Sequence, residues 1–304
     1  MAIKHVISAR QFDVKLLEHI FLLTERIKKG RYNKNALAGK IMATLFYEPS
    51  TRTRLSFESA MLRLGGKFIS TENAAEFSSA AKGETLQDTV RVVNSYADVI
   101  VLRHFEPGAS EFAAKYSKVP IINAGDGEGE HPTQAILDLY TIFSKFAHKN
   151  IQVTMIGDLT YGRTVHSLSQ LLSLYPGIKL VFCSPKALAI PSKLKSELSS
   201  RKIDFEETED FGMSIKSADV IYQTRIQKER FKSQKEYQKY KGTYIIDNNV
   251  LKNIKKSAVI MHPLPRVNEI AEEVDSNRRA IYFEQVKNGI YVRMALLLYL
   301  FDKA

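Results

Sequence analysis

Two doubly wound, parallel α/β domains joined by interdomain helices are the fold this sequence predicts, on three observations. Short β-branched runs alternate with helix-periodic segments almost from end to end, the pattern of parallel strands with covering helices. The alternation stops in the polar stretch 144–150 and then restarts. A length of 304 residues with 44% hydrophobic content is enough for two cores of ordinary size.

The elements follow in order. An amphipathic helix over 13–28 opens the chain, and a strand over 41–46 leads into the turn Ser50-Thr51-Arg52-Thr53-Arg54. After that turn Phe57, Ala60, Met61 and Leu64 recur at i, i+3, i+4 and i+7, one apolar stripe on a helix. Strands are expected over 67–70, 98–102 and 120–123, with helices between them. His131-Pro132 starts another helix, with proline at the first helical position, where a missing N–H costs nothing. Beyond 144–150, strands are expected over 152–156, 179–182, 219–222, 243–246 and 258–261, and a long helix over 285–301 closes the chain. The division expected is 1–145, completed by a C-terminal helix at 285–304 against the 13–28 helix, and 150–284.

Composition narrows the classes. The N-terminal Met1-Ala2-Ile3-Lys4-His5 leads into no apolar signal core, and the apolar run 294–301 is far shorter than the ~20 residues that span a bilayer, so no membrane and a cytoplasmic location are expected. A single cysteine, Cys183, excludes an intramolecular disulfide and a multi-cysteine metal site, and its place at the end of an apolar run marks a buried small hydrophobe. The net charge of +11 invites a polyanion partner, but the lysines are dispersed and no zinc finger, RNA-binding signature or basic tail occurs; no nucleic acid is expected. A G-x-G-x-x-G fingerprint and a Walker-type phosphate loop are both missing, since Leu159 stands where a second glycine would have to let a pyrophosphate approach.

Strand, hydroxyl-and-arginine turn, helix N-terminus is the arrangement that holds a phosphate, because the first helical N–H groups lack partners and the dipole favours an anion. An ordinary cap by Ser50 or Thr51 is the other reading. Arg52 and Arg54 in the first turn each oppose the dipole by roughly 0.3–1 kcal/mol, which calls for a compensating anion. Further polar clusters fall at expected strand C-termini, where open α/β sheets bind ligands: Arg103-His104, 125–134, 157–163, 224–227 and 262–266. Arginine recurs at five strand ends, as Arg52, Arg103, Arg163, Arg225 and Arg266, and a guanidinium pairs bidentately with carboxylate or phosphate. Gln134 lies one helical turn beyond His131, so both side chains can face one ligand. Lys82-Gly83-Glu84-Thr85 starts a helix after a loop of small and polar residues.

Taken together, Tyr47-Glu48-Pro49 with Ser50 to Glu58, Lys82-Gly83-Glu84-Thr85, Arg103-His104, His131-Pro132-Thr133-Gln134, Asp158 through Arg163 and His262-Pro263-Leu264-Pro265-Arg266 closely resemble the transcarbamoylase family, nearly end to end and in order. Ornithine-type members usually carry a cysteine where this chain has Pro263, so the resemblance favours aspartate as acceptor, in agreement with Arg225 and Gln227. The resemblance implies transfer of a carbamoyl group from carbamoyl phosphate to the α-amino group of L-aspartate, giving N-carbamoyl-L-aspartate and phosphate in de novo pyrimidine synthesis.

It also implies roles for individual residues. Ser50, Thr51, Arg52, Thr53 and Ser78 would hold the phosphate. Thr53, Arg103 and His131 would reach the carbamoyl oxygen; Gln134 and the carbonyls of Pro263 and Leu264 would take the NH2 group. Arg163, Arg225 and Gln227 would hold the aspartate carboxylates, and Lys82 would touch both substrates. The domains would be a carbamoyl phosphate-binding domain over 1–145 and an aspartate-binding domain over 150–284. No organic cofactor and no metal is implied, and no protein base, because the leaving phosphate can accept the amine proton. The family's minimum active unit is a homotrimer in which Ser78 and Lys82 enter a neighbour's site, with regulatory chains that can bridge trimers into a dodecamer. Glu48, Arg163 and Arg230 resemble residues that pair across the domains on closure. Two departures, Thr160 and Ala81 where relatives carry lysine, remove positive charge on the aspartate side.

Overall fold

A computed structural model describes residues 3–72, 83–146, 150–226, 233–240 and 242–303. The chain divides into two units, residues 1–140 with 287–304 and residues 141–286. The expected fold class holds: each unit is built on one parallel sheet with flanking helices.

In the first unit Asp13 caps α1 (Val14–Lys28), its carboxylate accepting from Leu16 N at 2.7 Å. Then come β1 (Ile41–Phe46), α2 (Thr51–Arg63), β2 (Lys67–Glu72), α3 (Leu86–Val93), β3 (Val99–His104), α4 (Ala109–Tyr116), β4 (Ile121–Asp126) and α5 (Pro132–Phe143). The strand order is β2-β1-β3-β4. Phe57, Ala60, Met61 and Leu64 of the expected α2 stripe are all fully buried. Asp98 ties the start of the sheet together by accepting from Ile41 N at 2.9 Å and from Lys40 Nζ at 2.8 Å.

The second unit runs through β5 (Ile151–Ile156), α6 (Arg163–Leu172), β6 (Ile178–Cys183), α7 (Ser192–Ser200), β7 (Asp204–Thr208), α8 (Phe211–Lys216), β8 (Val220–Gln223), α9 (Gln234–Gln238), α10 (Asn248–Asn253) and β9 (Val259–Met261), in the order β7-β6-β5-β8-β9. Asp219 repeats the device of Asp98, accepting from Gln152 N at 2.9 Å and Lys255 Nζ at 2.7 Å. Cys183 is buried in the core, where the loss of water pushes its thiol up to about 11. The last helix, α11 (Tyr282–Leu300), and α5 both span the division of the chain. Within the first unit α11 meets α1, with Lys28 Nζ donating to Asn288 at 3.4 Å and the His19 and Tyr299 rings edge to face.

Two elements differ from expectation. No strand forms over 243–246: Gly242 and Tyr244 take left-handed backbone (φ +79° and +63°), and only Ile246 makes a bridge, to Ile270. The unexpected strand is β7 at one edge of the sheet, whose sequence Asp204-Phe205-Glu206-Glu207-Thr208 carries charges that blunt it against further pairing. Among the described residues no helix is long and apolar enough to cross a membrane.

Candidate active site

Strand order decides where each sheet can open. In the first unit the chain leaves β1 for β2 on one side and returns to β3 on the other, so the strand order reverses between β1 and β3, the switch point at whose C-terminal ends open α/β sheets bind ligands. Register fixes which residues meet there. Phe46 lies beside Arg103, Tyr47 N donates to Arg103 O at 2.9 Å, and His104 lies beside Asp126.

At the start of α2, Ser50 occupies the N-cap with φ −157° and ψ 82°, and its side chain makes no capping bond. The ordinary-cap reading therefore lacks its bond. Thr51 and Arg52 are exposed and Thr53 is buried. The two arginines of this turn separate. Arg54 is held within the unit by Glu72 at 2.7 Å, by Ser70 Oγ at 3.1 Å and near Glu58, whereas Arg52 is exposed. Arg103 is buried, donating to Ala124 O at 3.1 Å and pairing with Glu48 at 3.0 Å. His131 is buried at the head of α5, its Nδ1 3.5 Å from Thr133 Oγ1, and Gln134 one turn on donates to Asp138 at 2.8 Å. His104 has a structural part: burial lowers its imidazole below the ordinary value against Glu106 and Asp126, its Nδ1 accepts from Glu106 N, and its ring stacks on Phe105.

The second unit reverses its strand order between β5 and β8. At that switch Gly157 has φ +118°, and a Cβ there would stand 2.5 Å from Thr224 O, so only glycine lets the two loops approach. Thr224 in turn binds Ile156 O through its N–H and its hydroxyl, both at 2.8 Å. These loops carry Arg163, the first residue of α6, and Arg225, which lines a cleft with Thr224, Ile226, Tyr237 and Tyr240. Thr160 donates through its hydroxyl to Ala189 O at 2.7 Å.

After β9, His262 is clamped between Glu269, which its Nε2 meets at 2.9 Å, and Leu264 N, which donates to its Nδ1 at 2.7 Å. This clamp shapes the Pro263-Leu264 turn, with Leu264 at φ +53°. Arg266, further along this loop, pairs with Asp275 and donates to the Tyr282 hydroxyl. Ser78, Ala81, Lys82, Gln227 and Arg230 lie outside the described residues. Among the described residues no group of three or more metal-ligating side chains occurs.

The family described as aspartate/ornithine carbamoyltransferase, carbamoyl-P binding domain, matches residues 4–144, and the companion Asp/Orn binding domain matches 149–300. The chain belongs to the aspartate/ornithine carbamoyltransferase family. It is 52% identical over 297 residues to the chloroplastic aspartate carbamoyltransferase of Arabidopsis thaliana, covering 96% of this chain and 76% of that one. It is 48% identical to the aspartate carbamoyltransferase catalytic subunit of Clostridium kluyveri, with 97% of each chain covered. Among solved structures it resembles the catalytic subunit of M. jannaschii aspartate transcarbamoylase (TM-score 0.90, 48% identity, 99% and 98% covered). It also resembles the Trypanosoma cruzi enzyme in complex with carbamoyl phosphate and aspartate (TM-score 0.89, 39% identity, 96% and 95% covered).

Within this carbamoyltransferase chain, Asp138 and Glu269 hold the candidate residues Gln134 and His262, and neither is expected from the sequence. Asp138 carried a signal in its i, i+4 spacing from Gln134. Glu269, in a coil segment seven residues beyond His262, carried none.

Proposed function

We propose that the chain is an aspartate carbamoyltransferase, transferring the carbamoyl group of carbamoyl phosphate to the α-amino group of L-aspartate to give N-carbamoyl-L-aspartate and phosphate, a step of pyrimidine synthesis. The observation that carries the reading is about half identity along both units to enzymes of that name, with a related structure holding both substrates.

The first unit would be the carbamoyl phosphate half. Ser50, Thr51, Arg52 and Thr53 hold the phosphate through helix N–H groups, hydroxyls and the Arg52 fork, with Ser78 and Lys82 from a neighbouring copy. Thr53, Arg103 and His131 donate to the carbonyl oxygen, while Gln134 and the carbonyls of Pro263 and Leu264 receive the amino group. Arg163, Arg225 and Gln227 in the second unit hold the aspartate carboxylates. As the aspartate amine attacks, charge grows on the carbonyl oxygen and then on the leaving phosphate, and a fixed donor aimed there lowers the barrier by ~3–4 kcal/mol. Holding two anions side by side supplies proximity, and the cations offset their repulsion. The carbonyl carbon loses the phosphate oxygen as it gains the nitrogen, and the departing phosphate takes the amine proton.

A homotrimer with shared sites, the possible addition of regulatory chains and a cytoplasmic location complete the proposal. The name "catalytic subunit" of the Clostridium kluyveri and M. jannaschii relatives fits an assembly of that kind. The test is a panel of amines incubated with carbamoyl phosphate and scored for ureido product. Aspartate should be carbamoylated and ornithine left; the reverse preference would sink the reading.

A further inference from the structure

The two ends of the Gln134 amide are not equivalent in their surroundings. Its Nε2 donates to Asp138 Oδ1 at 2.8 Å, one turn further along α5, and Asp138 is fully buried whereas Gln134 is partly exposed. A primary amide has one donor end and one acceptor end of nearly the same shape, so a half-turn of the group exchanges them. Asp138 removes that freedom. The reversed amide would set an oxygen against a buried carboxylate, which costs the hydrogen bond and adds repulsion where little water can screen it. Gln134 Oε1 is thereby left as the end that faces away from Asp138.

A second buried charge supports the first. Arg293 on α11 is buried with its guanidinium over the Phe57 ring at 5.1 Å; burial pulls it down to about 10, against the attraction of Asp138. Gly289, one turn earlier, keeps the space open, since a Cβ there would stand 2.8 Å from Arg293 Nη1 and 3.1 Å from Leu137 Cδ2. The attraction between Arg293 and Asp138 offsets part of the cost of burying each charge.

We propose that Asp138 is a positioning residue: it sets the Gln134 amide with its oxygen toward the substrate, and so gives the site its preference for a carbamoyl group over an acyl group of the same shape. The inference rests on the carbamoyl phosphate reading above. An acceptor fixed in place rewards an amino group and is left unpaired by a methyl, which is how a site built to hydrogen-bond one substrate rejects its isostere. Acetyl phosphate is that isostere, with a methyl where carbamoyl phosphate has NH2.

The test uses the full-length enzyme and Asp138→Asn, in which either end of the new amide can face Gln134. For each, kcat/KM for carbamoyl phosphate is compared with the competitive inhibition constant of acetyl phosphate. In Asp138→Asn, kcat/KM for carbamoyl phosphate should fall about tenfold or more, while the acetyl phosphate constant moves less than about threefold. A parallel loss of both would make Asp138 a scaffold residue and overturn the inference, as would no change in either. If Asp138→Asn does not fold, Asp138→Glu keeps the charge near Arg293 but displaces the carboxylate, and the same selective loss is expected; a parallel loss or the wild-type ratio overturns the idea. A wild-type chain that makes no ureido product at all defeats the functional reading instead, so the two failures are distinct.

Discussion

Arg103 holds the carboxylate of Glu48 at 3.0 Å, while its other arm donates to Ala124 O at 3.1 Å. A buried guanidinium proposed to meet an anionic substrate is thus already engaged by a carboxylate from the loop after β1. On the proposed reading Glu48 competes with carbamoyl phosphate for that cation. Glu48→Gln should strengthen binding of carbamoyl phosphate, by at most about fivefold because a partly exposed ion pair is worth ~1 kcal/mol or less. Competition binding at low and high salt checks this, and weaker carbamoyl phosphate binding by the variant would refute it.

Gly157 sits where β5 and β8 part, with Thr224 O 2.5 Å from the position its Cβ would take. Gly157→Ala adds strain at φ +118° and forces the Thr224-Arg225 loop outward. Unfolding free energy should drop by about 2–4 kcal/mol, the sum of a strained backbone and a displaced contact. KM for aspartate should rise more than KM for carbamoyl phosphate, because the displaced loop carries Arg225. Urea unfolding and steady-state kinetics report both.

Acid should reach the second unit through Glu269. Burial alone would raise its carboxyl, but the hydrogen bonds from His262 and from the Val267 N–H outweigh burial and hold it below the ordinary carboxylate range. A group depressed in the folded state contributes stability above its unfolded value, about 4.3, and loses it as pH falls through the lower folded value. Urea midpoints of the wild type should therefore decline more steeply than those of Glu269→Gln as pH drops below roughly 4.3. Equal slopes would show that the pair does not govern acid stability.

The proposed sharing of sites between copies of the chain makes a mixing prediction. Arg52→Ala and Lys82→Ala should each lose about a hundredfold or more in kcat, as expected when a donor to developing charge is removed. Combined under conditions of verified subunit exchange, they should regain activity through sites built from two intact halves. No recovery would count against a site completed by a second copy.

Local pattern made much of this protein legible. The helix stripe at Phe57, Ala60, Met61 and Leu64, the strand over 41–46 and the burial of Cys183 follow from periodicity and composition, which act over a few residues. The strand ends marked by Arg103, Arg163 and Arg225 were legible too, because charge following an apolar run marks a strand end. Edges were not. The acidic sequence of β7 pairs on one side only, so it carries no apolar signal, while 243–246 has that signal but loses its extended backbone at Gly242 and Tyr244.

By itself the sequence determined the class of fold, the chemistry of the strand-end loops and the likeness to a carbamoyltransferase, all of which reside in residue types and their order along the chain. Tertiary structure alone decided which strands are neighbours, and therefore that the switch points fall between β1 and β3 and between β5 and β8. It also sorted arginines that looked alike: Arg54 and Arg266 are taken up by Glu72 and Asp275, which lie 18 and 9 residues away along the chain. A guanidinium finds its partner through space, and the strand pairing that brings the partner near has no local signature.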